Sequence, residues 1–103
     1  MRAADLEGVI AALVTPFDAQ DRLDEAAARR VVRHVIEGGV DGIMTAGGTG
    51  EFPHLSRDER REITRIAAEE AGGRVPVIAG TAACSTREAI ELTRDAAQAG
   101  AVA

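Results

Sequence analysis

Five consecutive residues, Gly47-Gly48-Thr49-Gly50-Glu51, bring three glycines, a hydroxyl and a carboxylate into one short stretch. Adjacent glycines let successive backbone N–H groups point into one concavity, which attracts carboxylate or phosphate oxygens. The Thr49 hydroxyl can donate to the same anion. A tight strand-exit turn that binds nothing is the plain alternative, because glycine turns are common. Two sharper phosphate motifs are excluded. A P-loop needs Lys-Ser/Thr after its last glycine, and the chain contains no lysine. A dinucleotide fingerprint needs glycine at the position that Pro53 occupies here. Every Lys-or-Arg position is an arginine, and a guanidinium stays protonated at any workable pH. No side chain of this sequence can therefore act as an amine nucleophile. The Met1 amine is conceivable, but it precedes the first strand.

Other reactive residue types weigh less. Glu51 could be a general base, but a carboxylate that braces the loop is the simpler reading. His54 follows the turn, and its imidazole makes it a possible substrate contact. His34 reads as a solvated helix residue. Asp18, Asp21 and Asp24 have metal-loop spacing, yet no EF-hand glycine and glutamate follow, so they read as turn formers and helix-start acids. Cys84 is the only cysteine, which leaves no intrachain disulfide and no cysteine-based metal site. It reads as a small packing residue rather than a reactive thiol. No metal and no cofactor is expected.

The elements that must position the turn repeat. Val9-Ile10-Ala11-Ala12-Leu13-Val14 is an unbroken apolar run of strand length, as for a strand covered on both faces, and Thr15-Pro16 stops it. Residues 24–37 follow with Ala28, Val31, Val32, Val35 and Ile36 on one helical face, closed by Gly38-Gly39. A second strand over 42–46 leads into the glycine turn. Its helix starts at a capping box, Ser56 with Glu59, and Ile63, Ile66, Ala67 and Ala71 form the inward stripe before Gly72-Gly73. A third strand over 75–79 leads to a second capping box, Ser85 with Glu88, and to a helix with Ala89, Leu92 and Ala96 inward, stopped by Gly100. Pro76 lacks an N–H and belongs at the first strand positions or on an edge. The starts Val9, Gly42 and Val75 recur every thirty-three residues, a pitch for parallel, right-handed βαβ crossovers. The fold class is α/β, either a doubly wound sheet or a closed barrel.

Composition sets the limits. With 46% hydrophobic residues, two phenylalanines and no tyrosine or tryptophan, a core of small aliphatics suits parallel sheet under Ala-rich helices. A net charge of −5 disfavours sequence-independent nucleic-acid binding. No run approaches the ~18 apolar residues of a membrane span, and the start of the chain, with Asp5 and Glu7, has no signal-peptide pattern. Cytoplasmic location is the expectation. The same pitch puts a fourth strand at about residue 104, so the pattern is expected to continue past Ala103. Residues 1–103 alone are then expected to be marginal or associating, since one sheet face lacks its cover.

Three segments carry a resemblance: Gly8-Val9-Ile10-Ala11-Ala12-Leu13-Val14-Thr15-Pro16-Phe17-Asp18, Gly47-Gly48-Thr49-Gly50-Glu51 and Val77-Ile78-Ala79-Gly80-Thr81. In this order and at these separations they resemble the start of the dihydrodipicolinate synthase/N-acetylneuraminate lyase family of class I aldolases, across essentially the whole chain. The resemblance implies the first three βα units of a TIM (β/α)8 barrel, with residues 1–103 the N-terminal part of one barrel domain. It also implies a homo-oligomer, usually a tetramer. Pyruvate or another 2-keto acid would condense with a strand-six lysine that this sequence lacks. Gly48 and Thr49 would bind the substrate carboxylate, with Gly47, Gly50 and Glu51 supporting the loop, Phe52 and His54 as possible substrate contacts where subfamilies vary, and no catalytic residue in this chain. The synthases usually carry threonine at position 48, in a hydroxyl relay with two tyrosines, and the lyases serine. The form Gly-Gly-Thr-Gly-Glu-Phe resembles 5-dehydro-4-deoxyglucarate dehydratases, whereas Gly8 to Leu13 and Cys84-Ser85-Thr86 resemble the lyases, which leaves the subfamily open. A non-catalytic remnant or anion-binding module is the further alternative.

Overall fold

A computed structural model describes residues 5–103; Met1, whose amine was considered above, lies outside the described residues. Three strands, β1 (Ile10–Ala12), β2 (Gly42–Thr45) and β3 (Val77–Ala79), alternate with α1 (Glu25–Glu37), α2 (Arg57–Ala71) and α3 (Thr86–Ala99). The strands form one parallel sheet in the order β1-β2-β3. Ala11 pairs with Ile43, and Ile43 with Val77, so residues two apart in each strand line the helix-covered face.

The helices begin where capping chemistry directs. The Asp24 side chain accepts from the Ala27 N–H at 2.9 Å and starts α1. At α2, the Ser56 hydroxyl accepts from the Glu59 N–H and the Glu59 carboxylate accepts from the Ser56 N–H, a complete capping box. At α3 only half of the expected box forms: the Ser85 hydroxyl accepts from the Glu88 N–H, with no return bond from the Glu88 carboxylate. The inward stripe of α2 is buried as expected, with Ile66 and Ala67 fully inaccessible. Helix α2 packs between α1 and α3 and lies over β2 and β3. One cluster joins Leu13, Val32, Ile43, Ala67, Ala71 and Val77; another, of Ala28, Ala46, Ile63 and Ile66, sits under the loop after β2.

The first strand departs from expectation. It spans Ile10–Ala12 rather than 9–14, and Val9 and Val14 are 66% and 51% exposed. Helices cover one sheet face only, so alternate positions of the apolar run face outward, whereas Leu13 is buried. Likewise β3 begins at Val77, and Pro76 just before it contributes only its carbonyl, accepting from the Ile43 N–H at 3.1 Å. Beyond α3 the chain returns to the sheet: the Val102 N–H donates to the Val77 carbonyl, and the Ala79 N–H donates to the Ala103 carbonyl, both at 2.9 Å. This places the backbone beside β3 where the fourth strand is expected. Among the described residues no helix is long and apolar enough to cross a membrane.

Candidate functional site

The glycine turn leaves the C-terminal end of β2, the end at which parallel α/β proteins collect their ligand-binding loops. Its shape comes from the residues that flank the glycines. Ala46 and Glu51 take left-handed conformations, with φ of 52° and 62°, while Gly47, Gly48 and Gly50 do not. The glycines were expected to supply backbone freedom; they supply space. A Cβ on Gly50 would lie 3.1 Å from the Ala46 nitrogen and 3.2 Å from the Leu13 carbonyl oxygen. A Cβ on Gly48 would meet nothing within 4 Å. Only at Gly48 does the fold leave room for a side chain without crowding.

Main-chain and side-chain bonds hold both ends of the loop. The Glu51 N–H donates to the Gly48 carbonyl at 3.0 Å and the Phe52 N–H to the Gly47 carbonyl at 3.3 Å. The buried Thr15 hydroxyl donates to the Gly50 carbonyl at 2.7 Å. Below the turn, the hydroxyls of Thr45 and Thr64 bond each other at 2.8 Å, tying the end of β2 to α2. The Gly80 N–H donates to the Thr45 carbonyl at 2.7 Å, and a Cβ on Gly80 would come within 2.2 Å of the Ala46 oxygen. The exit of β3 therefore rests directly on the entry to the turn. In contrast, the N–H groups of Gly48 and Thr49 and the Thr49 hydroxyl bond no other described residue, and both residues are exposed. Like the N–H groups of Gly47 and Gly50, these two amides and the hydroxyl stand unengaged on a loop held through the carbonyls of Gly47, Gly48, Gly50 and Glu51, and being exposed they suit the oxygens of a small anion.

The other residues singled out from the sequence take separate places. Glu51 braces the loop through its main chain, since its carbonyl accepts from the His54 N–H at 2.9 Å, while its carboxylate is exposed and unpaired among the described residues. Phe52, in a short 3-10 turn over Phe52–His54, packs on the cluster of Ala28, Ala46, Ile63 and Ile66. His54 lines an open cleft with Phe17, Asp21 and Glu59. Asp18 shapes a turn, accepting from the N–H groups of Gln20 and Arg22, and these bonds hold its carboxyl below the usual range. Cys84 is exposed rather than a packing residue, because it lies in the loop before α3 where no element covers it.

Two residues that matter to the loop carry little sequence signal. Thr15 reads as part of a strand stop, yet its hydroxyl is buried against Gly50. Arg60 reads as one more solvent-facing arginine but is buried. Its position, three residues before Ile63 and seven before Ala67, lies on the inward stripe of α2, which is the signal that identifies it.

Residues 5–103 match the Dihydrodipicolinate synthetase family. The 4-hydroxy-tetrahydrodipicolinate synthase of Brucella abortus biovar 1 is 50% identical over 96 residues, covering 93% of this chain and 33% of that protein. Among solved structures, the chloride-inhibited dihydrodipicolinate synthase of Acinetobacter baumannii complexed with pyruvate superposes with a TM-score of 0.88 at 41% identity, covering 92% of this chain and 33% of that one. CdNal from Clostridium difficile, in complex with mannosamine, has a TM-score of 0.88 at 34% identity, covering 94% and 34%. The chain spans about a third of the length of the relatives it matches.

Proposed function

Because the chain belongs to the dihydrodipicolinate synthetase family, we propose that its glycine turn holds the carboxylate of pyruvate or a related 2-keto acid within a longer (β/α)8 barrel. The observation that carries this reading is the pair of unengaged amides at Gly48 and Thr49, beside the free Thr49 hydroxyl, at the C-terminal end of β2. The pyruvate bound by the Acinetobacter baumannii relative supports the same ligand class. These donors are neutral and fixed, so they bind and orient one end of the acid without taking part in proton transfer.

The chemistry then falls to an amine. A lysine supplied from outside these 103 residues attacks the ketone, water leaves, and the protonated imine becomes the electron sink for making or breaking a bond beside it. Residues 1–103 are the carboxylate-holding part of that barrel domain, in a cytoplasmic homo-oligomer. Gly48 bears on the subsequent reaction. Space exists there for the hydroxyl-bearing side chain that the synthases usually carry, so packing does not dictate glycine, and the dehydratase-like form of the turn favours a member without that relay. The substrate class is accordingly a 2-keto acid, with a sugar-acid dehydratase as the second reading.

The 103-residue chain, expected to be marginal or associating alone, provides the test under conditions where its amide dispersion shows it folded. With pyruvate at tens of millimolar, the amide resonances of Gly48 and Thr49 shift, and borohydride leaves the mass unchanged. No shift at either amide overturns the cradle, and a trapped pyruvyl adduct overturns the assignment of the amine to residues elsewhere.

A further inference from the structure

Arg60 is the one arginine among the described residues that is buried, at 9% exposure. It does not use a carboxylate to satisfy its charge. Nη1 donates to the Ala82 carbonyl at 3.0 Å and Nη2 to the Gly80 carbonyl at 2.9 Å. Its guanidinium carbon lies 5.3 Å from the centre of the Phe52 ring, within cation–π range. Nε is buried without a partner. Burial pushes the guanidinium below its ordinary pKa, with Glu88 opposing. Burying a cation on carbonyls and a ring is costly, and a packing role alone would be met by an aliphatic side chain.

The two groups that Arg60 grips flank the turn. Gly80 abuts its entry, where an added Cβ would strike the Ala46 oxygen and lie 3.1 Å from the Gly47 nitrogen, and the Gly80 N–H bonds the Thr45 carbonyl. Phe52 closes its exit through the bond from its N–H to the Gly47 carbonyl. We propose that Arg60 is a positioning residue for the anion cradle: its planar fork fixes Gly80–Ala82 on one side and the Phe52 ring on the other, and so sets where the Gly48 and Thr49 amides point. Lysine cannot replace it, because an ammonium offers neither a fixed two-point fork nor a flat face. The effect on ligand binding rests on the carboxylate reading of the turn; the effect on the amides does not.

The test follows the backbone amides of the full chain without ligand, then with pyruvate, in Arg60→Ala, Arg60→Lys and Phe52→Leu. Arg60→Ala and Arg60→Lys displace the Gly48 and Thr49 resonances and weaken pyruvate binding by about tenfold, as expected for losing charge-assisted hydrogen bonds. Phe52→Leu, which removes the ring and no hydrogen bond, moves the same resonances less. Added ethylguanidinium returns the Arg60→Ala resonances towards wild type, which a merely structural loss does not do. If Arg60→Ala fails to fold, Arg60→Lys and Phe52→Leu carry the test. Unmoved Gly48 and Thr49 resonances in folded Arg60→Lys overturn the proposal, as does loss of melting temperature with no change at the turn. A wild-type chain that ignores pyruvate overturns the carboxylate reading, and the ligand-free resonances still decide the role of Arg60.

Discussion

Helix α2 meets its neighbours in two different ways. Towards α1 it presents a seam of ion pairs: Arg29 to Glu69 and Glu70 at 2.8 and 3.2 Å, Arg33 to Glu70 at 2.7 Å, and Arg65 to Glu25 at 2.9 Å, with Arg65 also pairing Glu62 and Glu69 along α2 itself. Most of these side chains are partly or largely exposed. Towards β3 and α3 the polar contacts are fewer, and their acceptors, Asp95 and two main-chain carbonyls, are better buried than Glu69. Arg57 pairs Asp95 through two hydrogen bonds, at 2.6 and 3.1 Å, and Arg60 reaches the carbonyls of Gly80 and Ala82. The first seam tolerates small movements, since water and salt compete with every pair. The second includes a two-point grip on main-chain carbonyls, and it lies beside the glycine turn. Among the arginines of α2, the buried Arg60 grips main-chain carbonyls, whereas the more exposed Arg57 and Arg65 pair with carboxylates.

Gly80→Val strikes the second seam hardest. Its Cβ must displace the Ala46 oxygen, so the urea midpoint falls by an amount corresponding to about 3 kcal/mol or the chain fails to fold; a change below about 1 kcal/mol contradicts the close packing. A smaller effect separates the seams by pH and salt. The Arg57 hydrogen bonds hold the Asp95 carboxyl below its usual pKa, as those of Arg29 and Arg65 do for Glu69. A depressed carboxyl contributes stability above its unfolded pKa and loses it as pH falls through the folded value. The urea midpoint should therefore hold steady from neutral pH to about 5 and drop below about 4. Asp95→Asn lowers the neutral-pH midpoint by about twice as much as Glu69→Gln, and high salt shrinks both effects but the Asp95 effect less, since that carboxylate is 12% exposed against 49% for Glu69. Equal responses to salt would erase the distinction. The smallest effect belongs to Gly48→Thr, where an added Cβ finds open space: stability stays within about 0.5 kcal/mol of the parent in the same urea series, and a larger loss would show that the space is not there.

The sequence made the helices legible because their ends are local chemistry. Asp24, Ser56 and Ser85 each cap a helix through a residue three positions on, and Gly72 and Gly100 take the left-handed conformation at the other ends. The glycine turn was legible as a place but not as a mechanism. Which residues turn left-handed, and which must lack a Cβ, depends on Leu13, Ala46 and Gly80, brought together from three strands. Periodicity alone also overstates β1, because an apolar run does not say whether a second layer lies against it. Arg60 was hidden by its residue type: a charge on an apolar stripe reads as an exception, and only the distant carbonyls explain it.

The contact between Ala46 and Gly80 carries a consequence for how this turn can evolve or be engineered. Position 80 accepts a side chain only after the carbonyl of position 46 has rotated away, and that rotation takes Ala46 out of its left-handed conformation and reshapes the loop that follows. A side chain at position 80 and the present backbone of Ala46 therefore exclude each other, so a change at 80 reaches the cradle through the main chain.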